Sequence, residues 1–455
     1  MLKVAYLANQ YPAAVEPYVS REIDALRMRG VEVIPGSIRR PESTTDCSRP
    51  FEGELICLRP IRIVVLLKAM RLLFRRRKGI SPLVRRVLTQ GRETPWRRIK
   101  ALAHTALGAC YAVRLRERGV DHIHVHHGYF GCWVAMAAAR LLEVDFSITL
   151  HGSDLLVHNA YLDTKLNLCS FCLTVSEYNR RYILEHFRID PRKVLVFRLG
   201  VDLPENHQPL IPASNGKITL VSAGRLRAVK DHSLLVRACA RLRDRGIDLE
   251  CLIAGEGPER RRIESQIRKL RISDSVTLLG HVARQQMDSL YRRADAVVLT
   301  SQSEGIPLVL MEAMAAGRIV LAPAITGIPE LLIPEKTGFL YEPGSLDDLV
   351  ARLVFICGML RRGKDHPHTS RLSWIRHAAR CQILHNFNRK KNLDHFVDRF
   401  VELAARNWSP PHADPLLQQI QLPVQRDRGV PVRSHGTDAV EGTRGRVILH
   451  GRSAG

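Results

Sequence analysis

The sequence predicts an α/β protein in two halves, each a parallel sheet alternating with helices. Three observations lead there. At 455 residues the chain is too long for one hydrophobic core. Short apolar runs of strand length alternate with longer runs of helical periodicity. The alternation breaks once, in a proline-bearing stretch after residue 203, and then restarts. Strands separated by helices favour parallel sheets, because each parallel pair needs a crossover.

In chain order, residues 4–7 read as a buried strand. Residues 16–29 read as a helix, with Val19, Ile23, Leu26 and Met28 on its apolar side and Gly30 as its stop. A strand follows at 31–34. Residues 122–126 alternate as a strand, 130–142 form an Ala-rich helix, and 146–150 form a strand ending at His151-Gly152-Ser153-Asp154. A strand is expected at 168–175, with Ser176 capping a helix to about Phe187, and another at 194–197 before Gly200. Pro204, Pro209 and Pro212 mark 204–216 as a linker. The second half places strands at 218–222, 248–254, 276–279, 296–300 and 319–322, with a helix at 233–245. Residues 407–455 carry five prolines and no sustained period, and read as a disordered tail.

Composition narrows the partners. Lys and Arg number 69 against 45 acids, a net charge of +24, which favours anionic ligands. The excess is concentrated at 59–100, where 14 basic residues face one acid, Glu93, and are interleaved with Ile63, Leu66, Leu67, Met70 and Phe74. Such a segment can lie on an anionic membrane surface or form a domain helix with a solvated basic face. Only Phe74 and Trp96 are aromatic there, so no nucleic-acid partner is expected. Ten cysteines lack an extracellular pattern, and Cys169 and Cys172 are expected as buried thiols. The first apolar run is too short for a signal peptide, and no run approaches the ~18 residues that span a bilayer. The chain is therefore expected in the cytoplasm, or peripheral on the inner face of the membrane.

Chemistry concentrates at the expected strand ends, where open α/β sheets bind ligands. Ser303 to Gly317 holds Glu304 and Glu312 eight apart, with Pro307 as an early helical position and Gly317 as the stop. The free N–H groups of that helix start suit a phosphate, and carboxylates beside an anion suit neutral sugar or ribose hydroxyls. Arg225 and Lys230 offer a planar fork and a point charge for a diphosphate. Gly255-Glu256-Gly257 lets backbone approach a ligand. His151, beside Gly152 and Asp154, could orient a sugar hydroxyl or stabilise a developing cation through its carbonyl. His122, His124 and His126 share one strand face next to His127. No acidic or thiol partner is evident for them, so a packed or cleft-lining role is expected and no metal. No G-x-S-x-G supports a serine hydrolase, and no D-x-D stands out as a metal clamp.

Together these motifs resemble the family 4 retaining glycosyltransferases of GT-B architecture that build bacterial exopolysaccharide. The resemblance covers roughly residues 3–405. It rests on Asn9-Gln10-Tyr11-Pro12 with Ser20-Arg21-Glu22-Ile23, His127-Gly128-Tyr129-Phe130-Gly131, His151 to Leu155, Thr174 to Glu177, Gly224-Arg225-Leu226 with Lys230, Ala254 to Pro258, and the Glu304 and Glu312 pair. It implies two Rossmann-like domains with parallel sheets facing a central cleft: an acceptor domain at 1–203 and a nucleotide-sugar domain at 217–372. A helix at 373–406 would cross back to the first domain.

By the same resemblance, His151, Arg225, Lys230 and Glu304 would be catalytic. Gly224, Gly255, Gly257, His281, Val282, Gly305, Ile306, Leu308 and Glu312 would bind the donor. Asn9, Tyr11, His126 and Asp154 would line the acceptor side. A nucleoside-diphosphate sugar is the implied donor, with no cofactor, and a glycan or polyprenyl-linked acceptor. The first loop lacks the paired glycines of many relatives, and 407–455 match nothing in the pattern. A non-catalytic basic membrane or nucleic-acid binder on this scaffold, and a nucleotide-sugar epimerase, are the alternatives.

Overall fold

In the computed structural model, residues 1–13, 16–39, 55–90, 93–157, 159–203, 217–363 and 371–405 are described. The expected linker (204–216) and tail (407–455) lie outside the described residues.

The first sheet contains β1 (Lys3–Gln10), β2 (Glu32–Arg39), β3 (Ile56–Cys57), β4 (His122–His126), β5 (Asp145–Leu150), β6 (Cys172–Thr174) and β7 (Val194–Val196). Their spatial order is β3-β2-β1-β4-β5-β6-β7, and every pairing is parallel. The second sheet contains β8 (Ile218–Ala223), β9 (Leu249–Ala254), β10 (Val276–Gly280), β11 (Ala296–Val298), β12 (Ile319–Pro323) and β13 (Phe339–Tyr341). It runs β10-β9-β8-β11-β12-β13, again parallel throughout. Both orders step outward from a central strand and then reverse, which is doubly wound topology with a switch point beside β1 and β8. The central strands are buried on both faces, as helices on either side require, whereas the edge strand β10 is partly exposed.

Three expectations change. The stretch 168–175 is not one strand: Leu162–Leu168 is helical and only Cys172–Thr174 pairs in the sheet. The helix ends at Leu168 within the apolar stretch, and periodicity cannot separate short buried helical and strand segments. Cys169 and Cys172 on this corner are buried free thiols. Pro307 is the N-cap of the Leu308–Ala315 helix, not a residue within it, and Gly317 follows at φ +69°. The single helix expected at 373–406 is two. Arg371–Asn386 buries Leu372, Ile375 and Ile383 with the second sheet's cores. Arg389–Ala404 buries Phe396, Val397 and Phe400 against Val4, Tyr6 and Phe171 of the first. Asn388 caps the second helix, its side chain accepting the Lys391 N–H.

The basic segment becomes three helices, Ile63–Arg75, Arg77–Thr89 and Pro95–Arg116. Ala69, Leu72, Leu83 and Val87 face the core, whereas Ile63 is 76% exposed and Phe74 71%. No described helix is long and apolar enough to cross a membrane.

Candidate functional site

The two sheets bring their carboxyl ends to one interface. The His151–Gly152 turn after β5 meets Gly305, which follows β11 by a short loop. A Cβ on Gly305 would stand 2.7 Å from the His151 carbonyl oxygen, so only glycine permits this approach. Gly327, after β12, is as tightly held, with Ser176 of the first half 3.2 Å from where its Cβ would be. Ser176 caps the Glu177–His186 helix by accepting the Asn179 N–H at 3.1 Å. The same helix start receives a carboxylate from the other half. Glu330 accepts from the Glu177 and Tyr178 N–H groups at 3.0 and 2.7 Å and pairs with Arg198 at 3.3 Å. Glu330 was not singled out in the sequence; its position two residues after Gly-Ile in a short strand-end helix was the only available signal.

On the second half, Lys230 Nζ donates to Glu304, whose carboxylate also accepts from Ser301 Oγ at 2.6 Å. Thr326 Oγ1 donates to the Glu304 carbonyl, and Gln302 N–H bonds the Val229 carbonyl at 2.8 Å. The loops after β8, β11 and β12 are thus tied to one another around Glu304. Arg225 stands exposed beside them, with no protein partner among the described residues. Gly224 lies next to Lys230 and His232. Gly255 and Gly257 have φ of +149° and +157°, and side chains there would collide with the Gly224 and Leu226 carbonyls. These two glycines let the loop after β9 lie against the loop after β8.

Glu312 does not join Glu304. It accepts from Tyr291 OH at 2.9 Å and lies 4.0 Å from Arg284. Burial raises its pKa, opposed by Tyr291 and Arg284. His281 is exposed after β10, Val282 and Leu308 are half-buried, and Ile306 is buried.

The first half contributes a polar network that sequence spacing does not show. His126, 1% exposed, bonds Glu22 Oε2 at 2.9 Å, Tyr6 OH at 3.1 Å and His151 Nε2 at 3.0 Å. His124 bonds the Ser147 and Thr149 hydroxyls at 2.7 and 3.0 Å. The acidic partner is therefore Glu22, about a hundred residues away on the Pro17–Met28 helix. Glu22, His124 and His126 place ligand atoms within 4.8 Å of one another, a spacing an ion could span, although all three side chains are already hydrogen-bonded.

Asp154 is fully buried and accepts from the His151, Gly152 and Gly128 N–H groups. It also lies 3.5 Å from His127, which bonds Glu16 at 3.0 Å. Burial alone would lower the His127 pKa, but Asp154 and Glu16 outweigh it and raise it to about 9. Burial works against the Asp154 carboxylate, yet His127, His151 and the Gly152 N–H hold its pKa well below the usual range. Burial first, then His127 and His126, push His151 well below the usual imidazole value. A charged His127 and a neutral His151 thus sit side by side. His127 holds φ +69° at the end of β4, a strained backbone kept by these bonds. Lys165, buried nearby, donates to the Gly128 and Ala160 carbonyls at 2.7 and 2.6 Å, and burial brings its pKa down to about 8.

Of the four residues expected on the acceptor side, Tyr11, His126 and Asp154 are buried behind the surface, and Asn9 packs on Gly131. The side chains that line a cavity between the halves are instead Tyr18, Arg21, Glu22, Arg198, Leu308 and Arg389. Burial, then Arg389 and Arg284, lower the Arg21 pKa to about 10.

Two family models adjoin along the chain: Glycosyltransferase Family 4 over residues 15–205 and Glycosyl transferases group 1 over residues 205–357. The chain is 29% identical over 204 residues to a protein named putative colanic acid biosynthesis glycosyltransferase WcaL from Escherichia coli strain K12, covering 44% of this chain and 48% of that one. The chain spans about half the length of the curated relatives it matches. A sucrose-phosphate synthase from Thermosynechococcus elongatus superposes with TM-score 0.65 at 17% identity, over 90% of this chain and all of that one. Anabaena HepE in complex with UDP superposes with TM-score 0.61 at 16% identity, over 88% of this chain and all of that one. At such identities these two structures show the fold alone.

Proposed function

Because this chain belongs to the family 4 glycosyltransferases and has their GT-B fold, we propose that it moves a sugar from a nucleoside-diphosphate sugar to a glycan or lipid-linked acceptor, with retention at the anomeric carbon, in exopolysaccharide synthesis. One observation carries the reading. Lys230 and Glu304 are ion-paired on adjoining strand-end loops, and Gly305 next to them touches the His151 carbonyl of the other half. Cation, hydroxyl acceptor and facing histidine therefore converge at the domain interface.

When the donor binds, its diphosphate takes Lys230 from Glu304, with the unpaired Arg225 beside it. The freed Glu304 carboxylate accepts from sugar hydroxyls. Glu312, held by Tyr291, accepts from the ribose, and the backbone at Gly280 to Val282 holds the base. The N–H groups of Gly305 and Ile306 face phosphate oxygens, whereas Pro307 has none to offer. The bond to diphosphate breaks, positive charge develops on the sugar ring, and the acceptor hydroxyl attacks from the same face. Its proton passes to the leaving phosphate oxygen. Positioning and charge stabilisation supply most of the acceleration.

The exposed Ile63, Leu67, Met70 and Phe74, flanked by Arg71, Arg75 and Arg77, suit an anionic lipid surface that would present a lipid-linked acceptor. Sedimentation with anionic vesicles reads this directly.

The experiment for the donor is a thermal-shift panel of UDP, GDP, ADP, CMP and their common sugars, with Glu312→Ala alongside. A ligand at 100 times its Kd adds about 2.7 kcal/mol. A shift with one nucleotide that vanishes in Glu312→Ala is expected. No shift in a folded sample overturns the reading.

A further inference from the structure

His151 sits at the meeting point of the halves, yet the groups that set its chemistry lie beneath it. Glu22 Oε2 is 2.9 Å from His126 Nε2, and His126 Nδ1 is 3.0 Å from His151 Nε2. Tyr6 OH donates to the same Glu22 carboxylate. Its pKa is raised by burial, then by Glu22, so it stays a phenol.

The hydrogens follow from the donor inventory. His126 Nε2 faces a carboxylate oxygen and a phenol oxygen whose own hydrogen is committed to Glu22. Both can only accept, so Nε2 carries hydrogen. One hydrogen lies between His126 Nδ1 and His151 Nε2, and the arrangement with a bare His126 Nδ1 makes His151 Nε2 its donor. In that arrangement the lone pair of His151 lies on Nδ1, an atom with no protein partner among the described residues. The ring is part-exposed, with the Tyr18 ring 4.8 Å away, and Tyr18 and Glu22 both line the cavity between the halves.

We propose that Glu22 is a positioning residue: acting through His126, it holds His151 as the Nε2–H tautomer, so that Nδ1 accepts a hydrogen from a hydroxyl of the sugar being transferred. The sugar rests on the function proposed above; the tautomer does not. A histidine whose other nitrogen was unanchored would divide between tautomers, and half of its molecules would present a hydrogen where the sugar needs an acceptor. The chain also ties the Pro17–Met28 helix, β4 and the turn after β5 into one arrangement.

The test is 15N NMR of the full chain labelled at histidine, with His151→Asn to identify the signal. Wild type is expected to show His151 neutral and protonated at Nε2. Glu22→Gln keeps an oxygen for His126 and should retain that state. Glu22→Leu should give a mixture of tautomers. If Glu22→Leu does not fold, His126→Phe, which keeps the ring against Tyr6 and Tyr18, should give the same mixture. An unchanged His151 signal in Glu22→Leu or His126→Phe overturns the proposal, as does a wild-type His151 protonated at Nδ1. In the second arm, turnover is measured with UDP-glucose, UDP-N-acetylglucosamine and GDP-mannose. Glu22→Leu should lower kcat by at least about twofold, the share of His151 left in the wrong tautomer, with KM little changed, and Glu22→Gln should recover most of it. Equal loss in both variants overturns the positioning role. If wild type turns over none of the donors, the transfer reading fails, while the NMR arm still decides the tautomer.

Discussion

The two faces of the cleft are built on opposite principles. On the side of the second half, the Arg225 side chain is exposed with no protein partner among the described residues, and Lys230 and Glu304 are part-buried and ion-paired. On the facing side, His126, His127 and Asp154 are buried and held by Glu22, by Glu16 and by backbone N–H groups respectively. The first arrangement leaves charge available for an incoming anion. The second spends its hydrogen bonds internally, which fixes geometry and protonation before any ligand arrives. A buried polar network is tolerable only when its members are paired, and so it can hold one arrangement firmly. The transfer proposed above would use both: Arg225 and Lys230 for the departing phosphate and a rigid partner for the sugar.

The largest test of that contrast is loss of the second half's cations. Arg225→Ala and Lys230→Ala should each lower kcat on the order of 100- to 1000-fold while leaving the melting temperature nearly unchanged. Near-wild-type turnover in both would remove these cations from catalysis. A smaller effect, on stability, belongs to the facing side. The folded His127 pKa of about 9 stands above its ordinary 6.5. Its contribution is therefore complete below about pH 6.5 and is lost as pH rises through about 9. The shift corresponds to up to about 3 kcal/mol, and the depression of Asp154 describes the same pair rather than adding to it. The denaturant midpoint of wild type relative to that of His127→Gln should fall between about pH 6.5 and 9, a difference in which the opposite trend from the lowered Lys165 pKa cancels. A difference that does not change with pH would mean that His127 is not charged.

The smallest effect expected at the cleft comes from the basic surface of the first half. Reversing Arg71, Arg75 and Arg77 to Glu should abolish binding to anionic vesicles in a salt-sensitive way, with the nucleotide-induced thermal shift intact. Unchanged vesicle binding removes the membrane reading. A lost nucleotide shift would show that the two halves are less separable than their chemistry suggests.

The sequence by itself determined the two parallel sheets, the strand-end position of His151, Arg225, Gly255, His281 and Glu304, and the cap at Ser176. These rest on period, turn residues and short motifs, all of which act over a few residues. Contacts between distant residues were out of its reach. Nothing near His126 in the chain announced Glu22, and Glu330 gave no sign of capping a helix in the other half. The separate partners of Glu304 and Glu312 were equally hidden, because spacing along a chain says little once the first residue lies in a loop. Burial decided the rest. Whether Tyr11 or Tyr18 faces the cavity, and whether a histidine is charged, depends on which groups the fold packs against it, and those groups come from elements up to a hundred residues or more apart.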